Sequence, residues 1–492
     1  MKTRYYCLIL IFLTLSEVVS AQNFSKTYKD TMDLNSLAGN PLEVDSFYFV
    51  ANGGIGLTLE EGGYAQIVKL SKTGDVVKRL LNHKPDRRNS GTPPIALLND
   101  TVLIFASGEQ GFNAPQSQQG FTIVALNLDL DTLWRIRAPD SIQFDVPTSI
   151  ICTNNKIYII GLRNYIDSPG EFFVYDGLLL ILNEDGSFVD FKTIQREDGD
   201  VVLYSALSVN GEIYLGGNLF VEGGLSNNKG YIAKTDEWGN ILWDTTYPGF
   251  YETCSISRFD ENHMVLSGIQ YDGVNIPCSK VNVLKFNGEL IWTRTYSFIG
   301  TQNPYQNFIT YDNGVVLVGL TTVDAQAEGN AGYVMKADSL GNVLWQRRYN
   351  YNRFTDFFQS GIETSDHSIL ISGSARDTAI DGGGQNLWVV KLDSMGCLEP
   401  DCWVGFESAN TNELGISVYP NPTTDWLNFK LNSSSEPITL ELFSISGSLV
   451  MKINLVAHLE SIQVSHLQPG IYLAKFTDKS GSIIIDKIII SH

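Results

Sequence analysis

The stretch Tyr231–Tyr247, YIAKTDEWGNILWDTTY, recurs as VNVLKFNGELIWTRTY at Val281–Tyr296 and as YVMKADSLGNVLWQRRY at Tyr333–Tyr349. Each copy contains an apolar segment with a lysine, an Asp or Asn, a glycine, and then Trp and Tyr four residues apart. Glycine readily takes the positive φ that tight turns between strands often require. The pattern therefore predicts two antiparallel β-strands joined by a tight turn, repeated along the chain.

Two independent markers define the length and number of the repeats. The first is the turn glycine, which recurs 49 to 56 residues apart if Leu130 takes its place in the copy that ends at Trp134. The second is a glycine that ends an apolar strand and recurs 51 to 55 residues apart. The turn positions are Gly74, Leu130, Gly186, Gly239, Gly288, Gly341 and Gly396, and the strand-end glycines are Gly53, Gly108, Gly161, Gly216, Gly268, Gly319 and Gly373. Both markers predict seven units.

A repeat of about fifty residues matches one four-stranded blade of a β-propeller. Strands such as Val315–Leu320, VVLVGL, are continuous apolar runs. Such runs suit a blade that neighbours cover on both faces, whereas an open sheet with one wet face would alternate. A β-solenoid is the alternative, but its coils are usually much shorter than this period. The sequence therefore predicts an all-β chain with a seven-bladed β-propeller.

The two ends of the repeat array predict how the ring closes. The last unit stops after Leu387–Asp393, LWVVKLD, without a Trp-x-x-x-Tyr strand. The segment Phe24–Tyr28, FSKTY, near the N-terminus matches that missing strand. Completing the last blade with this segment removes an exposed sheet edge, which proteins generally avoid. We therefore expect residues 23–396 to form one closed ring of blades.

The repeat resembles the generic propeller repeats of exported bacterial proteins, which follow the pattern Y-x-x-K-x-D-x-x-G-N-x-x-W-x-x-x-Y. The similarity covers the whole array, closely in three units and loosely in four. It implies a fold and no particular activity. The repeat tryptophans hold a fixed place in the unit, which predicts packing between blades rather than ligand binding. They are Trp134, Trp243, Trp292 and Trp345.

Composition and charge exclude several classes of function. The chain has 492 residues, of which 43% are hydrophobic and 18% charged, as expected for a large folded core. The formal net charge is −20. Such a surface repels nucleic-acid phosphates, so no nucleic-acid partner is expected. Nothing in the composition implies a bound cofactor.

The first residues have the three regions of a secretory signal peptide. Lys2 and Arg4 are basic, Cys7–Leu15 is apolar, and small residues precede a predicted cleavage site between Ala21 and Gln22. The apolar run is about half of the ~20 residues that a membrane-spanning helix needs. No later segment is long and apolar enough to span a bilayer, so no transmembrane span is expected.

The pattern changes near the C-terminus, where alternating apolar and polar residues predict a small antiparallel β-sandwich of Ig-like type. An example is Ile438–Ile453, ITLELFSISGSLVMKI. These segments resemble the type A sorting domain of the type IX secretion system. The residues that carry the resemblance are Tyr419, Pro420, Asn421, Pro422, Gly447, Gly470, Tyr472 and Lys487.

The resemblance implies export through the periplasm and across the outer membrane of a Gram-negative cell. The implied partners are the Sec machinery and the type IX secretion apparatus. The protein is then secreted or displayed on the outer cell surface, often after removal of the sorting domain. The expected organisation is a signal peptide at 1–21, the propeller at 23–396, a cysteine-clipped exit and linker at 397–413, and the sorting domain at 414–492.

Motifs for catalysis or metal binding are missing from the sequence. No G-x-S-x-G and no H-E-x-x-H occurs, so no catalytic, cofactor-binding or metal-binding residue is predicted. Asn127, Asp129 and Asp131 alternate as calcium ligands do, but their loop lacks the glycine and distal glutamate of an EF-hand. Solvated turn carboxylates are the preferred interpretation. A glycosidase would need only a pair of carboxylates, which this acidic chain has in many places.

Five cysteines remain after signal-peptide removal, an odd number that leaves at least one outside an internal pair. The repeat places Cys254 in or beside the loop between the first two strands of a blade, and Cys278 in the loop between its third and fourth strands. Both loops emerge on one face, so a disulfide between these cysteines is expected. Cys397 and Cys402 are expected to form a second disulfide, and Cys152 to stay free.

The loops between third and fourth strands are expected to be long and to share one face with the first-to-second loops, which include the aromatic segment 349–358. Aromatic and amide side chains on such a rim suit contact with a glycan or a surface protein, or equally packing of the rim itself. We therefore expect a binding or scaffold module rather than an enzyme. The alternative is an extracellular polysaccharide-active hydrolase or lyase that uses carboxylates on the propeller face.

Overall fold

The computed structural model describes most of the chain between residues 23 and 490. The described residues are 23–28, 35–55, 63–84, 87–90, 92–111, 120–138, 146–165, 174–271, 276–297, 300–322, 329–351, 356–376, 385–399, 416–419, 423–431, 438–444, 448–455, 459–477 and 483–490. The chain divides into two compact units, Met1–Asp393 and Ser394–His492. Apart from a 3₁₀ turn at Leu225–Asn227, the regular structure of this described part is β-strand, so the predicted all-β class is confirmed.

Antiparallel sheets of four or five strands build the first unit, and its described residues form seven of them. The strand β1 (Phe24–Tyr28) belongs to the seventh sheet. The first three sheets contain β2 (Asn35–Val44), β3 (Phe47–Ile55), β4 (Gly63–Ser71) and β5 (Val76–Lys84); then β6 (Arg87–Ser90), β7 (Ile95–Leu98), β8 (Val102–Gly111), β9 (Gly120–Asn127) and β10 (Thr132–Arg137); then β11 (Val146–Thr153), β12 (Lys156–Tyr165), β13 (Val174–Asn183) and β14 (Phe188–Ile194).

The remaining four sheets of this unit follow the same order along the chain. They contain β15 (Asp200–Val209), β16 (Glu212–Phe220), β17 (Lys229–Thr235) and β18 (Ile241–Pro248); then β19 (Glu252–Arg258), β20 (His263–Tyr271), β21 (Pro277–Lys285) and β22 (Leu290–Tyr296); then β23 (Thr301–Ile309), β24 (Val315–Thr322), β25 (Asn330–Ala337) and β26 (Val343–Tyr349); then β27 (Phe357–Glu363), β28 (Ile369–Arg376) and β29 (Gln385–Leu392), with β1 as fourth strand.

The first strands of these sheets contact one another in a closed order. β2 contacts β7, which contacts β11, and the series continues through β15, β19 and β23 to β27, which contacts β2 again. The first strands therefore surround a common centre, and the fourth strands form the outer edges of the sheets. This arrangement is propeller-like.

The repeat turns are built as the sequence predicts. In the fourth sheet, Asp236 Oδ1 accepts hydrogen bonds from the backbone N–H groups of Trp238 at 2.9 Å and Asn240 at 2.8 Å. Gly239 takes a φ of +77°, next to a bulge in the pairing of β17 with β18. Leu130 takes a φ of +62° although it carries a side chain. The prediction that Leu130 occupies the missing turn-glycine position is therefore confirmed.

The Trp-x-x-x-Tyr strand attaches its sheet to the turn of the next one. The Tyr247 hydroxyl donates a hydrogen bond to the Gly288 carbonyl oxygen at 2.6 Å, and the Trp243 ring covers the same glycine. Both contacts recur from Tyr296 and Trp292 to Gly341, and the ring contact alone recurs from Trp134 to Gly186, since residue 138 is an alanine. Packing between neighbouring sheets is thus confirmed for these three tryptophans.

The strand β1 makes this contact between the seventh and first sheets. β1 pairs with β29 from Phe24 opposite Lys391 to Tyr28 opposite Leu387. The Phe24 ring covers Gly74, and the Tyr28 hydroxyl donates a hydrogen bond to the Gly74 carbonyl oxygen at 2.7 Å. Phe24 therefore takes the place of the repeat tryptophan. The prediction that the N-terminal segment completes the last sheet is confirmed.

The strand-end glycines lie where the first and second strands approach most closely. A bulge interrupts this pairing in six of the described sheets. In the sixth sheet, a Cβ on Gly319 would overlap the carbonyl oxygen of Asn303, and Gly373 meets a similar obstacle in the seventh. In the fourth sheet the tight position is Gly217, next to the predicted marker Gly216. The second repeat marker thus reflects a lack of space for a side chain.

The second unit contains two antiparallel sheets within its described residues. Its strands are β30 (Ile416–Tyr419), β31 (Trp426–Leu431), β32 (Ile438–Ser444), β33 (Leu449–Leu455), β34 (Leu459–Gln463), β35 (Gly470–Thr477) and β36 (Ile483–Ile490). The sheet orders are β30–β31–β34 and β33–β32–β35–β36. Leu427 and Phe429 from the first sheet share one core with Leu440 and Phe476 from the second. The two sheets therefore pack face to face.

Replacing Phe24 with alanine should lower the free energy of unfolding by about 3–5 kcal/mol, because a buried aromatic ring is lost where the seventh sheet meets the first. Urea or thermal unfolding of the purified protein measures this change. Lys26→Ala is the matched control, since Lys26 lies on the same strand but pairs with Asp75 in an exposed position and should matter little. Equal stabilities of the two variants would show that β1 does not hold this junction.

Gly319→Ala should destabilise the protein by about 1–3 kcal/mol or more, since the new methyl group would collide with backbone that cannot move without breaking the β23–β24 pairing. Gly120→Ala is the control, because its Cβ would meet only the flexible Arg137 side chain, at 3.3 Å. Melting temperatures of both variants provide the comparison. An unchanged melt of Gly319→Ala would contradict the close approach of the two strands.

Candidate functional site

The first strands enclose a cavity of about 560 Å³, and each of the seven sheets of the first unit contributes residues to its wall. This volume lies within the usual range of small-ligand sites, about 300–1,000 Å³. Residues at the first-strand bulges project into the cavity, because a bulge turns its extra residue out of the pairing. These residues are Asn40, Thr148, Tyr204, Thr253, Tyr305 and Gln359.

Polar side chains join neighbouring first strands around the cavity. Gln359 Oε1 accepts a hydrogen bond from the Ala38 backbone N–H at 2.5 Å, and Asn40 exchanges two bonds with the Ile95 backbone, at 2.8 and 3.0 Å. The Thr148 hydroxyl donates to the Leu203 carbonyl oxygen at 2.9 Å. The Ile256 backbone N–H donates to the Ser205 hydroxyl oxygen at 2.8 Å, and that of Asn307 to the Ser255 hydroxyl oxygen at 3.0 Å. The Gly361 backbone N–H donates to Gln306 Oε1 at 2.7 Å. These bonds hold the wall in place, so the cavity is preformed.

The described lining of the cavity mixes polar and apolar side chains and carries no charged group. Its polar side chains carry hydroxyl or amide groups, and it includes no Asp, Glu, Lys, Arg or His. Tyr204 and Tyr305 are part of this lining, and Phe357 packs edge-on against Tyr305 with ring centres 6.3 Å apart. Burial raises the pKa of both phenols, so they stay protonated and can donate hydrogen bonds at neutral pH.

One carboxylate stands beside this wall. Glu252 begins β19 and precedes Thr253, which takes a φ of +53° and lines the cavity. Burial raises the pKa of the Glu252 carboxyl above its usual value. Burial also raises the pKa of Tyr271 and Tyr305, and the Glu252 charge adds to both shifts. Of these three residues only Tyr305 lines the cavity; Glu252 and Tyr271 are not part of its lining.

Among the cavity residues, Phe357 belongs to the aromatic segment 349–358 that the sequence singles out, and one sequence signal for the others is present. A strand glycine without positive φ often marks a bulge or a close approach of the partner strand. The register places Gly319 opposite Pro304, so the bulge begins at the next residue, Tyr305. The glycines of the second strands thus point to the first-strand residues that face the cavity.

The acidic residues considered as calcium ligands lie in a turn. Asn127 Oδ1 accepts backbone hydrogen bonds from Asp129 at 3.0 Å and Asp131 at 2.8 Å. Lys69 donates to the Asp129 carboxylate at 3.0 Å, and Lys78 to that of Asp131 at 2.9 Å. The preferred interpretation as turn carboxylates is confirmed. Across the described ranges, no three His, Cys, Asp or Glu side chains converge in a way that could hold a metal ion.

The structure contradicts the predicted disulfide between Cys254 and Cys278. Neither cysteine is disulfide-bonded, and both are buried. Cys254 lies in β19 and Cys278 in β21, with β20 between them. Two strand spacings amount to about 9–10 Å, beyond the ~6.8 Å that a disulfide spans between Cα atoms. The Cys278 thiol instead donates a hydrogen bond to the Gln270 carbonyl oxygen at 3.2 Å.

The remaining cysteines follow the prediction as far as the described residues reach. Cys152 is free, as predicted, and burial raises the pKa of its thiol to about 12. Cys397 is buried, and its expected partner Cys402 lies outside the described residues. The Cys397–Cys402 disulfide stays a prediction.

The loop assignment also needs correction. The long segments 109–120, 163–177 and 321–332 join second to third strands, and 349–358 joins the fourth strand of the sixth sheet to the first strand of the seventh. The prediction counted the Trp-x-x-x-Tyr strand as the first strand of a sheet, whereas it is the fourth strand of the preceding sheet. The antiparallel order still places both sets of connections at the same end of the sheets, although their central residues lie outside the described part.

The residues that resemble a sorting motif are partly within the described second unit. Gly470 begins β35, Lys487 lies in β36, Tyr419 ends β30, and the Tyr472 hydroxyl donates to the Gln468 carbonyl at 2.7 Å. The others, Pro420, Asn421, Pro422 and Gly447, lie outside the described residues, as do Ala21 and Gln22. No helix in the described ranges is long and apolar enough to cross a membrane.

Solved structures with a similar chain course are distant in sequence. Drosophila semaphorin 2a has 9% identity and a TM-score of 0.47, over 96% of this chain and 97% of the other. A protein of unknown function from Dyadobacter fermentans has 12% identity and a TM-score of 0.43, over 75% of this chain and 97% of the other. The α-L-arabinofuranosidase Arb93A from Fusarium graminearum has 11% identity and a TM-score of 0.41, over 61% of this chain and 92% of the other. With TM-scores below 0.5, these similarities carry no conclusion about function.

A comparison with curated proteins gives no significant match. Residues 417–491 match the family model Por_Secre_tail, the secretion system C-terminal sorting domain. The matched residues span β30 to β36, the strands of the second unit. The tail of the chain thus supports export by type IX secretion, which implies handling by that apparatus and a cell-surface or extracellular location.

Proposed function

We propose that the protein is an exported binding module built on a closed seven-bladed β-propeller. In this proposal residues 1–21 are a signal peptide for the Sec machinery, 23–396 form the propeller, 397–413 form an exit clipped by a disulfide, and 414–492 are an Ig-like sorting domain. The cyclic contacts of the first strands and the pairing of β1 with β29 support ring closure. The sorting-domain match supports the route of export.

The central cavity is the proposed binding site, and the chemistry of its wall carries this proposal. Tyr204 and Tyr305 offer aromatic surface, while hydroxyl and amide groups such as those of Thr253 and Gln359 offer hydrogen-bond donors and acceptors. Sugars combine apolar C–H faces with many hydroxyl groups, which suits an uncharged wall of this composition. The ligand we propose is therefore a glycan. The hydrogen bonds between first strands keep the wall in its binding geometry without a ligand.

A polysaccharide-active enzyme is the second candidate, and one observation favours it. Burial raises the pKa of Glu252, as in carboxylic acids that donate a proton to a leaving group. Most glycosidases also need a second carboxylate, roughly 5–10 Å from the first. The described lining of the cavity contains none. Binding without turnover is therefore the function that the described residues support better.

Tyr305→Ala should weaken glycan binding by the mature protein about tenfold, because an aromatic contact contributes roughly 0.5–1.5 kcal/mol beyond its buried area. A glycan array identifies the ligand, and calorimetric titration measures its affinity. Tyr311→Ala is the matched control, since Tyr311 lies on the same sheet in the turn after β23 and is 66% exposed. Tyr204→Ala provides a second cavity variant in case the first does not fold.

Equal binding by the cavity variants and Tyr311→Ala would place the site elsewhere. A reducing-end assay on the same glycans tests the enzyme alternative. Turnover that Glu252→Gln abolishes would favour a hydrolase over a binding module.

Deleting residues 414–492 should leave the first unit folded but retained in the periplasm, because the proposed export signal lies in the removed segment. Cell fractionation, with periplasmic and outer-membrane markers, locates the product, and its melting temperature shows whether the first unit is intact. Normal amounts of the truncated protein on the surface or in the medium would refute the sorting assignment.

A further inference from the structure

Two glutamines in the wall of the central cavity have a fixed orientation. Gln306 Oε1 accepts hydrogen bonds from the Ser360 hydroxyl at 2.9 Å and from the Gly361 backbone N–H at 2.7 Å. Gln359 Oε1 accepts one from the Ala38 backbone N–H at 2.5 Å. A backbone N–H group can only donate, so each amide must place its oxygen, and not its nitrogen, at these contacts. The two side chains thus join the sixth sheet to the seventh and the seventh to the first.

This orientation leaves the amide nitrogens of both glutamines free. Neither Gln306 Nε2 nor Gln359 Nε2 has a hydrogen-bond acceptor among the residues that the structure describes. Both side chains are half-buried and line the cavity. Because the oxygen of each planar amide is turned to the neighbouring first strand, its nitrogen is left to face the cavity. Two adjacent sheets therefore each present an NH₂ group, with two donors, to a ligand.

The rest of the wall adds neutral donors and no positive charge. The hydroxyl groups of Tyr204 and Tyr305 form no hydrogen bond with other residues in the described ranges, and both phenols stay protonated. The described lining contains no Lys, Arg or His. An anionic group would lose its hydration there without gaining a counter-charge, and the net charge of −20 would repel it. The ligand group that fits this wall is a neutral acceptor, such as a carbonyl oxygen.

We propose that the glutamine pair binds the acetamido carbonyl oxygen of a sugar, so that the cavity selects N-acetylated amino sugars. This inference rests on the proposed glycan site and names its sugar class. The acetyl methyl group matches two apolar side chains of the lining, Ala38 and Phe357, next to Gln359. The acetamido N–H needs an acceptor. Ser360 Oγ offers one, because its own proton is engaged with Gln306.

Sugars without an acetyl group fit the pair less well. A carbonyl oxygen has two lone pairs and no proton, so it can accept from both NH₂ groups at once. A sugar hydroxyl brings a proton that needs an acceptor of its own, whereas the glutamine oxygens are already engaged with the neighbouring first strands. The ammonium group of a deacetylated amino sugar has donors only and would meet donors. The pair therefore distinguishes acetylated from deacetylated sugars.

Glutamine side-chain NMR signals report directly on the donor pair. In the mature protein with isotopically labelled glutamine, the NH₂ signals of Gln306 and Gln359 should shift and saturate as N-methylacetamide is added. Gln306→Glu and Gln359→Glu assign these signals, since each keeps an oxygen for the neighbouring strand and replaces the NH₂ donor by a second oxygen. Each variant should weaken N-methylacetamide binding about tenfold, as read from the remaining glutamine signal.

Gln270→Glu is the matched control for the added charge. Gln270 lies on β20, its Oε1 accepts a hydrogen bond from the Thr295 hydroxyl at 3.1 Å in an exposed position, and it is not part of the cavity lining. This variant should bind N-methylacetamide as the unmodified protein does. Melting temperatures check that all three variants fold.

A matched set of oligosaccharides then tests sugar selection. N-acetylglucosamine oligomers should bind the unmodified protein about tenfold more tightly than glucose or glucosamine oligomers of equal length. Gln306→Glu and Gln359→Glu should remove this preference, and Gln270→Glu should retain it. Glucuronic acid oligomers test the anionic alternative and should bind no more tightly than glucose oligomers.

Equal affinities for the acetylated and non-acetylated series, or a preference that persists in both cavity variants, would overturn the inference while leaving a glycan site in place. Tighter binding of glucuronic acid oligomers would overturn it in favour of an anion site. Failure to bind any oligomer would contradict the glycan assignment itself. A saturable N-methylacetamide shift that depends on the pair would then still support an acetamido site, and no shift would overturn that site too.

Discussion

The contact between an aromatic ring and the turn glycine of the next sheet joins neighbouring sheets at four junctions of the first unit, counted over its described residues. A glycine leaves the turn open to the ring, and its carbonyl oxygen accepts the hydrogen bond of the tyrosine four residues later, as between Tyr247 and Gly288. One short motif thus supplies both the turn of its own sheet and the attachment to its neighbour. Because the seventh sheet has no such strand of its own, β1 brings Phe24 and Tyr28 to the same place on Gly74.

The bulges of the first strands have a structural and a functional consequence at once. Where a first strand bulges, its backbone comes so close to the second strand that only glycine fits, as at Gly319. The same bulge turns Tyr305 toward the central cavity. Side chains such as Gln306 then bond to the next first strand and keep these positions in register. A wall that is already in place without a ligand supports the proposed recognition of a small molecule.

The sequence predicted the features that depend on local and periodic patterns. The repeat length, the turn position of Leu130 and the role of Phe24–Tyr28 all follow from motif spacing, and all agree with the structure. Features that depend on strand order within a sheet were less accessible. Cys254 and Cys278 are separated by β20, and this separation is visible only once the Trp-x-x-x-Tyr strand is known to be the fourth. The cavity residues come from seven distant segments, so no short motif contains them.

Ring completion by β1 imposes an order on folding that suits an exported chain. The Trp388 indole N–H donates to the Ser25 hydroxyl at 2.9 Å, a bond between residues 363 positions apart in sequence. Contacts between residues so far apart in sequence form late in folding, because the chain must lose the entropy of a long loop before the two residues can meet. The strand β1 is also synthesised long before its partner strand β29. Until the two strands pair, the seventh sheet lacks its fourth strand, so the first unit has not yet reached its most stable fold.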